Sequence, residues 1–220
     1  MKGEAPEFTS STEMGAAWVN VANEVPRTEA EGPGVRYALW VQGCPLRCKG
    51  CCNPHMLEDQ RMELCHVDDV VERIVNTEGI EGVTFIGGQP FWQAEALAEV
   101  AREVRSRGLG VMVFSGLTMR RIKRENRDDW SAFLSQIDLL VDGPYIKSMH
   151  VNDRRWIGSS NQQVHFLTER YKHLAETSSG WAEEPNTIEL RMVGDQISIN
   201  GFPEESIVEL SRASIRAKSK

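Results

Sequence analysis

The sequence has no long apolar run. Its 220 residues are 40% hydrophobic, yet nowhere do they approach the roughly 18 consecutive apolar residues that a membrane span requires, so no membrane partner is expected. A basic excess is also missing. The 25 Lys and Arg are outnumbered by 32 Asp and Glu, leaving a formal charge of -7, which argues against nucleic acid as a general partner. The opening MKGEAPEFTSSTEMGAAW lacks the apolar core of a secretion signal, and the expected setting is cytoplasmic. There is no internal repeat and no low-complexity tract. Cysteine is scarce, with five residues, but four of them fall in the stretch GCPLRCKGCCNP (43–54). In a reducing compartment such clustering points to metal ligands or catalysis rather than disulfides, and the odd count points the same way.

The length suits one domain, with room for an extension. Residues 1–16 are small and polar and read as a loosely attached segment. The run VRYALWVQG (35–43) has strand character, and GVTFIGG (82–88), LGVMVFSG (109–116) and IDLLVDGPY (137–145) read as further strands. Between them, 67–78 places Val70, Val71, Ile74 and Val75 on one helical face. Residues 92–108 form an amphipathic helix with Leu97, Val100, Ala101 and Val104 at helical spacing, and 118–136 reads as one charged helix. Apolar strands alternating with amphipathic helices predict parallel βα units, whose ligands gather at the carboxyl ends of the strands. Those ends carry Gln42-Gly43-Cys44, Gly87-Gly88-Gln89, Ser115-Gly116 and Asp142-Gly143. Beyond residue 150 the pattern changes. A polar loop (150–163) is followed by a segment that starts as a strand, then a hairpin over 186–203 turning at Gly194-Asp195, then a helix from Glu204.

Cys44, Cys48 and Cys51 follow a C-x3-C-x2-C spacing, with Cys52 adjacent and Cys65 thirteen residues further on. Structural zinc takes four ligands, typically as two pairs well apart in sequence. Here there is one compact group, with Cys52, His55, Cys65 or His66 as the available fourth ligand. The other reading is a four-iron, four-sulfur cubane held by three thiolates, either Cys44, Cys48 and Cys51 or a set using Cys52. Three thiolates for four irons leave one iron open, and an open position is where a cofactor or substrate binds and reacts. The residues alone leave both readings standing.

The stretch GPGVRYALWVQGCPLRCKGCCNP (32–54) resembles the opening of the radical S-adenosylmethionine (SAM) enzymes. Within that superfamily it is most similar to the activases of glycyl radical enzymes, especially those of anaerobic ribonucleotide reductase. FIGGQP (85–90), VFSG (113–116), and DLLVDGPY (138–145) followed by RWIGSSNQ (155–162) agree in order and spacing, and the resemblance covers about residues 30–167. It implies an α/β fold, a partial (β/α)6 TIM-like barrel of parallel strands, beyond which the N-terminal thirty residues and the C-terminal β-hairpin and helix extend. The chain would then divide into an N-terminal extension (1–30), a radical SAM core (31–170) and a C-terminal extension (171–220).

The resemblance also implies a [4Fe-4S] cluster on Cys44, Cys48 and Cys51, with SAM on the fourth iron. Asn53, Gly87, Gly88, Gln89, Ser115 and Asp142 become the candidate SAM contacts. The family usually has glutamate where Gln89 stands, and Gln keeps a carbonyl able to accept from the methionine ammonium. Cys52 stands where the activases often have histidine and reads as a bystander, and Cys65 and His66 as structural. Arg154, Arg155 and Asn161 mark a loop where a partner or substrate would dock. The expected activity is hydrogen abstraction from a glycine of a partner glycyl radical enzyme, with an external flavodoxin- or ferredoxin-like electron donor. The alternatives are a stand-alone radical SAM enzyme acting on a small molecule, nucleoside or peptide, and a non-catalytic iron–sulfur or zinc module.

Overall fold

Four parallel strands form the middle of the molecule. In the computed structural model, which describes residues 5–175, 187–193 and 196–201, the strands are β1 (Trp18–Thr28), β2 (Arg36–Val41), β3 (Glu63–His66), β4 (Gly82–Gly87), β5 (Gly110–Ser115), β6 (Leu139–Asp142) and β7 (Gln163–Phe166). Their order across the sheet is β3-β1-β2-β4-β5-β6-β7. β2, β4, β5 and β6 are parallel, whereas β1, β3 and β7 join antiparallel.

All six residues of β2 (RYALWV) are buried, as a central strand covered on both faces requires. Alternate residues then sort into two cores. Tyr37, Leu39, Val41, Val83, Phe85, Val111 and Val113 pack against the helices. Ala38, Trp40 and Ile86 form a second cluster with Met56 of the cysteine loop. The helices are α1 (Val67–Val75), α2 (Ala94–Ser106), α3 (Met119–Glu125) and α4 (Asp128–Ser135). Val70 and Ile74 of α1 are buried, as are Leu97, Val100, Ala101 and Val104 of α2, so the predicted faces are the buried ones.

Three features differ from the sequence-based expectation. The charged helix over 118–136 is two helices, because Asn126 adopts a left-handed conformation (φ 45°) between them, which ends a helix as a C-terminal cap does. Residues 18–28, inside the expected N-terminal extension, form the longest strand of the sheet. The parallel βα succession runs through four strands, not six, among the described residues. After β6 the chain meets only a short 3-10 turn, Lys147–Met149, with no helix to carry it to the other end of the sheet, so β7 returns antiparallel. The sheet is open, with β3 and β7 at its edges.

The expected hairpin is present as β8 (Ile188–Val193) paired with β9 (Gln196–Gly201). Its turn at Gly194-Asp195 and the helix expected from Glu204 lie outside the described residues.

Candidate functional site

The cysteine loop starts where β2 ends and is tied down at both of its own ends. Gly43 N–H donates to Met56 O and Cys44 N–H to Leu57 O, each at 3.0 Å, while Met56 itself is buried in the core. The end of β4 is stitched to the same place. Gly88 N–H donates to Val41 O (2.8 Å) and Gln89 N–H to Gly43 O (2.9 Å). A Cβ on Gly87 would lie 2.9 Å from the Val41 backbone, and one on Gly88 would fall on the Gly43 carbonyl. Gly87 also sits at φ 101°, a region side chains rarely adopt. Both glycines are therefore required by the seating of the loop itself, before any ligand is considered.

A buried polar set that the sequence did not single out holds the loop's flanks. Asn20 Nδ2 donates to Gln60 O (2.9 Å), and Asn20 Oδ1 accepts from Met62 N–H (2.8 Å). Gln42 Nε2 donates to Glu58 O (2.7 Å), and Gln93 Nε2 to Gln42 O (3.0 Å). Ser11 Oγ donates to Asp59 Oδ1 (2.6 Å), which anchors the chain at residue 11, within the stretch expected to be loosely attached. Asn20, Gln42, Gln93 and Ser11 are all buried. Asn20, Gln42 and Gln93 interrupt otherwise apolar runs, and a polar residue in an apolar run is the one sequence signal that could have found them; Ser11, in a polar segment, carried no such signal.

Cys44, Cys48 and Cys51 are half-buried, Cys52 is exposed and Cys65 is buried. Burial pushes the Cys44 and Cys48 thiols up, and the charge of Cys51 raises both further. Backbone N–H groups oppose this by donating to the sulfurs, Leu46 and Arg47 to Cys44 and Tyr145 to Cys48. Cys51 is different. The Cys52 thiol donates to it and, with the N–H of Asn53 (3.4 Å to Sγ), brings it down to about 6, while Cys52 is pushed up by the same shared hydrogen bond.

Three thiols within electrostatic range, each receiving backbone N–H donors, suit iron–sulfur ligation, where such bonds stabilise the thiolate and tune the metal. Among the described residues, no three His, Cys, Asp or Glu side chains converge closely enough to hold a single metal ion. A cubane presents a separate iron to each thiolate and asks for no such convergence. Cys65 stands apart. Burial pushes its thiol up to about 12, so it is inert at neutral pH. His66 caps α1 by accepting from Asp68 N–H (3.3 Å).

The remaining candidates lie at the carboxyl ends of the parallel strands. Val41 and Gly87 are paired, as are Ser115 and Asp142. Asn53 is placed beside Cys51 by its backbone bond. Ser115 Oγ donates to Gln89 Oε1 (3.1 Å) and accepts from Leu117 N–H (3.0 Å). Asp142 Oδ2 accepts from Met119 N–H at the start of α3 and stands 3.1 Å from His165 Nε2. Both side chains thus have partners within the fold. Gln89 is fully buried; its Oε1 also accepts from Phe91 N–H (3.3 Å), and its Nε2 has no partner among the described residues. Arg155 lies over the Trp156 ring, 4.4 Å from its centroid, and Asn161 Nδ2 donates to Pro144 O (2.8 Å). Arg154 is half-buried and accepts from Ile157 N–H through its carbonyl.

The family model described as a 4Fe-4S single cluster domain matches residues 30–165, which include the cysteine loop and all four parallel strands. The chain is similar to the anaerobic ribonucleoside-triphosphate reductase-activating protein of Vibrio cholerae, with 28% identity over 161 residues, 68% of this chain and 99% of that one. It is similar to the protein of the same name from Haemophilus influenzae, with 28% identity over 158 residues, 67% of this chain and 97% of that one. Among solved structures, QueE from Escherichia coli aligns with a TM-score of 0.38 and 15% identity, over 46% of this chain and 53% of that one.

Proposed function

This chain belongs to the 4Fe-4S single cluster domain family; from that premise we propose that it is an activase-like radical SAM enzyme that activates a glycyl radical enzyme of the anaerobic ribonucleotide reductase type, taking hydrogen from a glycine of that partner. Cys44, Cys48 and Cys51 are the ligands, and Cys52 is a hydrogen-bond donor to Cys51 rather than a fourth ligand. When bound, a [4Fe-4S] cluster supplies the electron that cleaves SAM reductively to the 5′-deoxyadenosyl radical that abstracts hydrogen.

The observation that carries this reading is the seating of the loop. Three thiols share one loop pinned to the ends of β2 and β4 by Gly43, Gly88 and Gln89, and Asn53 N–H donates to the Cys51 sulfur. The protein's own work is to hold the thiols apart, to keep them half-buried so that water is limited, and to offer polar groups at adjacent strand ends. Asn53, Gly87, Gly88, Gln89, Ser115 and Asp142 remain the SAM-side set. The glycines and the two engaged side chains act there chiefly by shaping the rim. We read the open sheet as a partial barrel whose unclosed side admits a protein loop bearing the target glycine, with an external flavodoxin- or ferredoxin-like donor and a cytoplasmic setting.

The test is anaerobic reconstitution, then iron and sulfide counts and a SAM cleavage assay with and without an anaerobic ribonucleotide reductase. About four irons and four sulfides per chain, 5′-deoxyadenosine formation and a glycyl radical signal on the reductase are expected. One zinc per chain without sulfide or SAM binding overturns the radical SAM reading. SAM turnover that never yields a glycyl radical overturns the activase part alone.

A further inference from the structure

We propose that Gln89 recognises the methionine carboxylate of SAM by donating from its side-chain Nε2, rather than accepting from the methionine ammonium through its carbonyl. The proposal rests on the SAM-binding reading above and concerns which end of the amino acid faces this side chain.

The amide's orientation is set by its neighbours. Phe91 N–H, which can only donate, points at Oε1 (3.3 Å), and Ser115 Oγ stands 3.1 Å from the same oxygen, with its one proton shared between that oxygen and Leu117 O (3.3 Å). The donor-only Phe91 N–H makes Oε1 the amide oxygen, and the other end of the amide is therefore the NH2 group. That group is fully buried and has no partner among the described residues. Buried N–H donors are nearly always paired in folded proteins, because leaving one unpaired forfeits its hydration.

Its position is also defined. Nε2 lies 3.5 Å from the point where a Cβ on Gly116 would stand, and Leu46 of the cysteine loop closes on the same point. The donor thus lies between the ends of β4 and β5, beside Leu46 of the cysteine loop. A donor there calls for an acceptor. The amino-acid end of SAM offers one strong acceptor, its carboxylate, while its ammonium can only donate. Glutamate, the residue the resemblance places at this position, would present only acceptors when ionised. Gln89 reverses the polarity of the position while leaving its bonds to Phe91 and Ser115 intact.

The deciding variant is Gln89→Glu, which keeps an acceptor for Phe91 and Ser115 and so preserves the local fold. Equilibrium dialysis on the anaerobically reconstituted protein, at about pH 8.5 so that a buried carboxyl is ionised, compares SAM with decarboxylated SAM. Iron content and thermal midpoint confirm that both proteins are loaded and folded. The expected result is that Gln89→Glu weakens SAM about 10-fold or more, because a donor has become a like charge, while decarboxylated SAM changes less than about 3-fold. That difference isolates the carboxylate, as a double-mutant cycle does. Tighter SAM binding by Gln89→Glu shows that the ammonium faces this position and overturns the proposal. An equal loss for both ligands, or no change, overturns it as well. Wild-type protein that carries a cluster and binds no SAM overturns the parent reading, which the dialysis distinguishes from every outcome above.

Discussion

Glu31 shows how far a single side chain can be moved by its surroundings. It is buried; Oε1 accepts Gly201 N–H at 2.8 Å, and Oε2 has no partner among the described residues. Burial pushes its carboxyl up to about 7, the Gly201 N–H pulls the other way, and Glu189 adds to the rise. The folded value lies above the unfolded one, so the neutral carboxyl's contribution to stability is complete below about pH 4.5 and is lost as pH rises through about 7. Glu31→Gln, neutral throughout, is expected to match wild type near pH 5 and to exceed it by about 3 kcal/mol near pH 8. Urea denaturation at both pH values checks this, and a difference that does not change with pH refutes it. The adjacent thiols give a second prediction. Cys52→Ala is expected to keep its iron after reconstitution, whereas Cys51→Ala, Cys44→Ala or Cys48→Ala loses it; iron loss by Cys52→Ala with retention by Cys51→Ala reverses the ligand assignment. The spacing of these cysteines was legible in the sequence. That Cys52 donates to Cys51 was not, because the directions of two neighbouring thiols depend on loop dihedrals that composition does not encode.

Elements explain why the glycines are where they are. At Gly88 an added Cβ meets the Gly43 carbonyl, a backbone atom whose displacement would move the start of the cysteine loop. At Gly116 the first obstacle is the end of the Leu46 side chain, which can rotate away. Gly88→Ala is therefore expected to cost about 3 kcal/mol and to reduce iron incorporation, and Gly116→Ala about 1 kcal/mol with incorporation largely retained. Chemical denaturation and iron analysis of the two variants check the contrast, and equal costs refute the account. The glycine pair was visible in FIGGQP, but the sequence suggested a ligand approaching it, and the first thing that approaches is the chain itself. Periodicity located β2, β4, β5, β6 and the faces of α1 and α2, since burial on two faces or one leaves a strong pattern. It missed β1, whose burial is irregular around the register shifts near Val21 and Val25. It also merged α3 with α4, because one left-handed Asn126 leaves no mark on hydrophobic spacing.

Across the whole molecule, the two ends of the parallel strands do different work. Cysteine loop, glycine pair, Gln89 and Asp142 gather at the carboxyl ends. At the amino end Arg36 is fully buried, with its five N–H donors used on Thr84 Oγ1 (2.7 Å), Pro33 O (3.1 Å), Tyr171 OH (2.8 Å), Val83 O (2.6 Å) and Gly110 O (3.2 Å). None of these partners is a carboxylate; the charge is solvated by oriented carbonyls and hydroxyls drawn from four separate parts of the chain. Such an arrangement is costly to break, because removing the guanidinium leaves several buried acceptors without donors. Arg36→Met is expected to lose about 3–5 kcal/mol, and Arg36→Lys nearly as much, since one ammonium with three donors cannot span the fork. Arg36 and Val41 are five residues apart along β2, roughly 17 Å, which places the clamp well away from the thiols. Iron content per folded chain and SAM affinity are therefore expected to stay at wild-type levels in both variants, measured at a temperature where they remain folded. A variant that folds but loads no iron would mean that the clamp reaches the cysteine loop through the sheet, and that stability and chemistry are not divided between its ends.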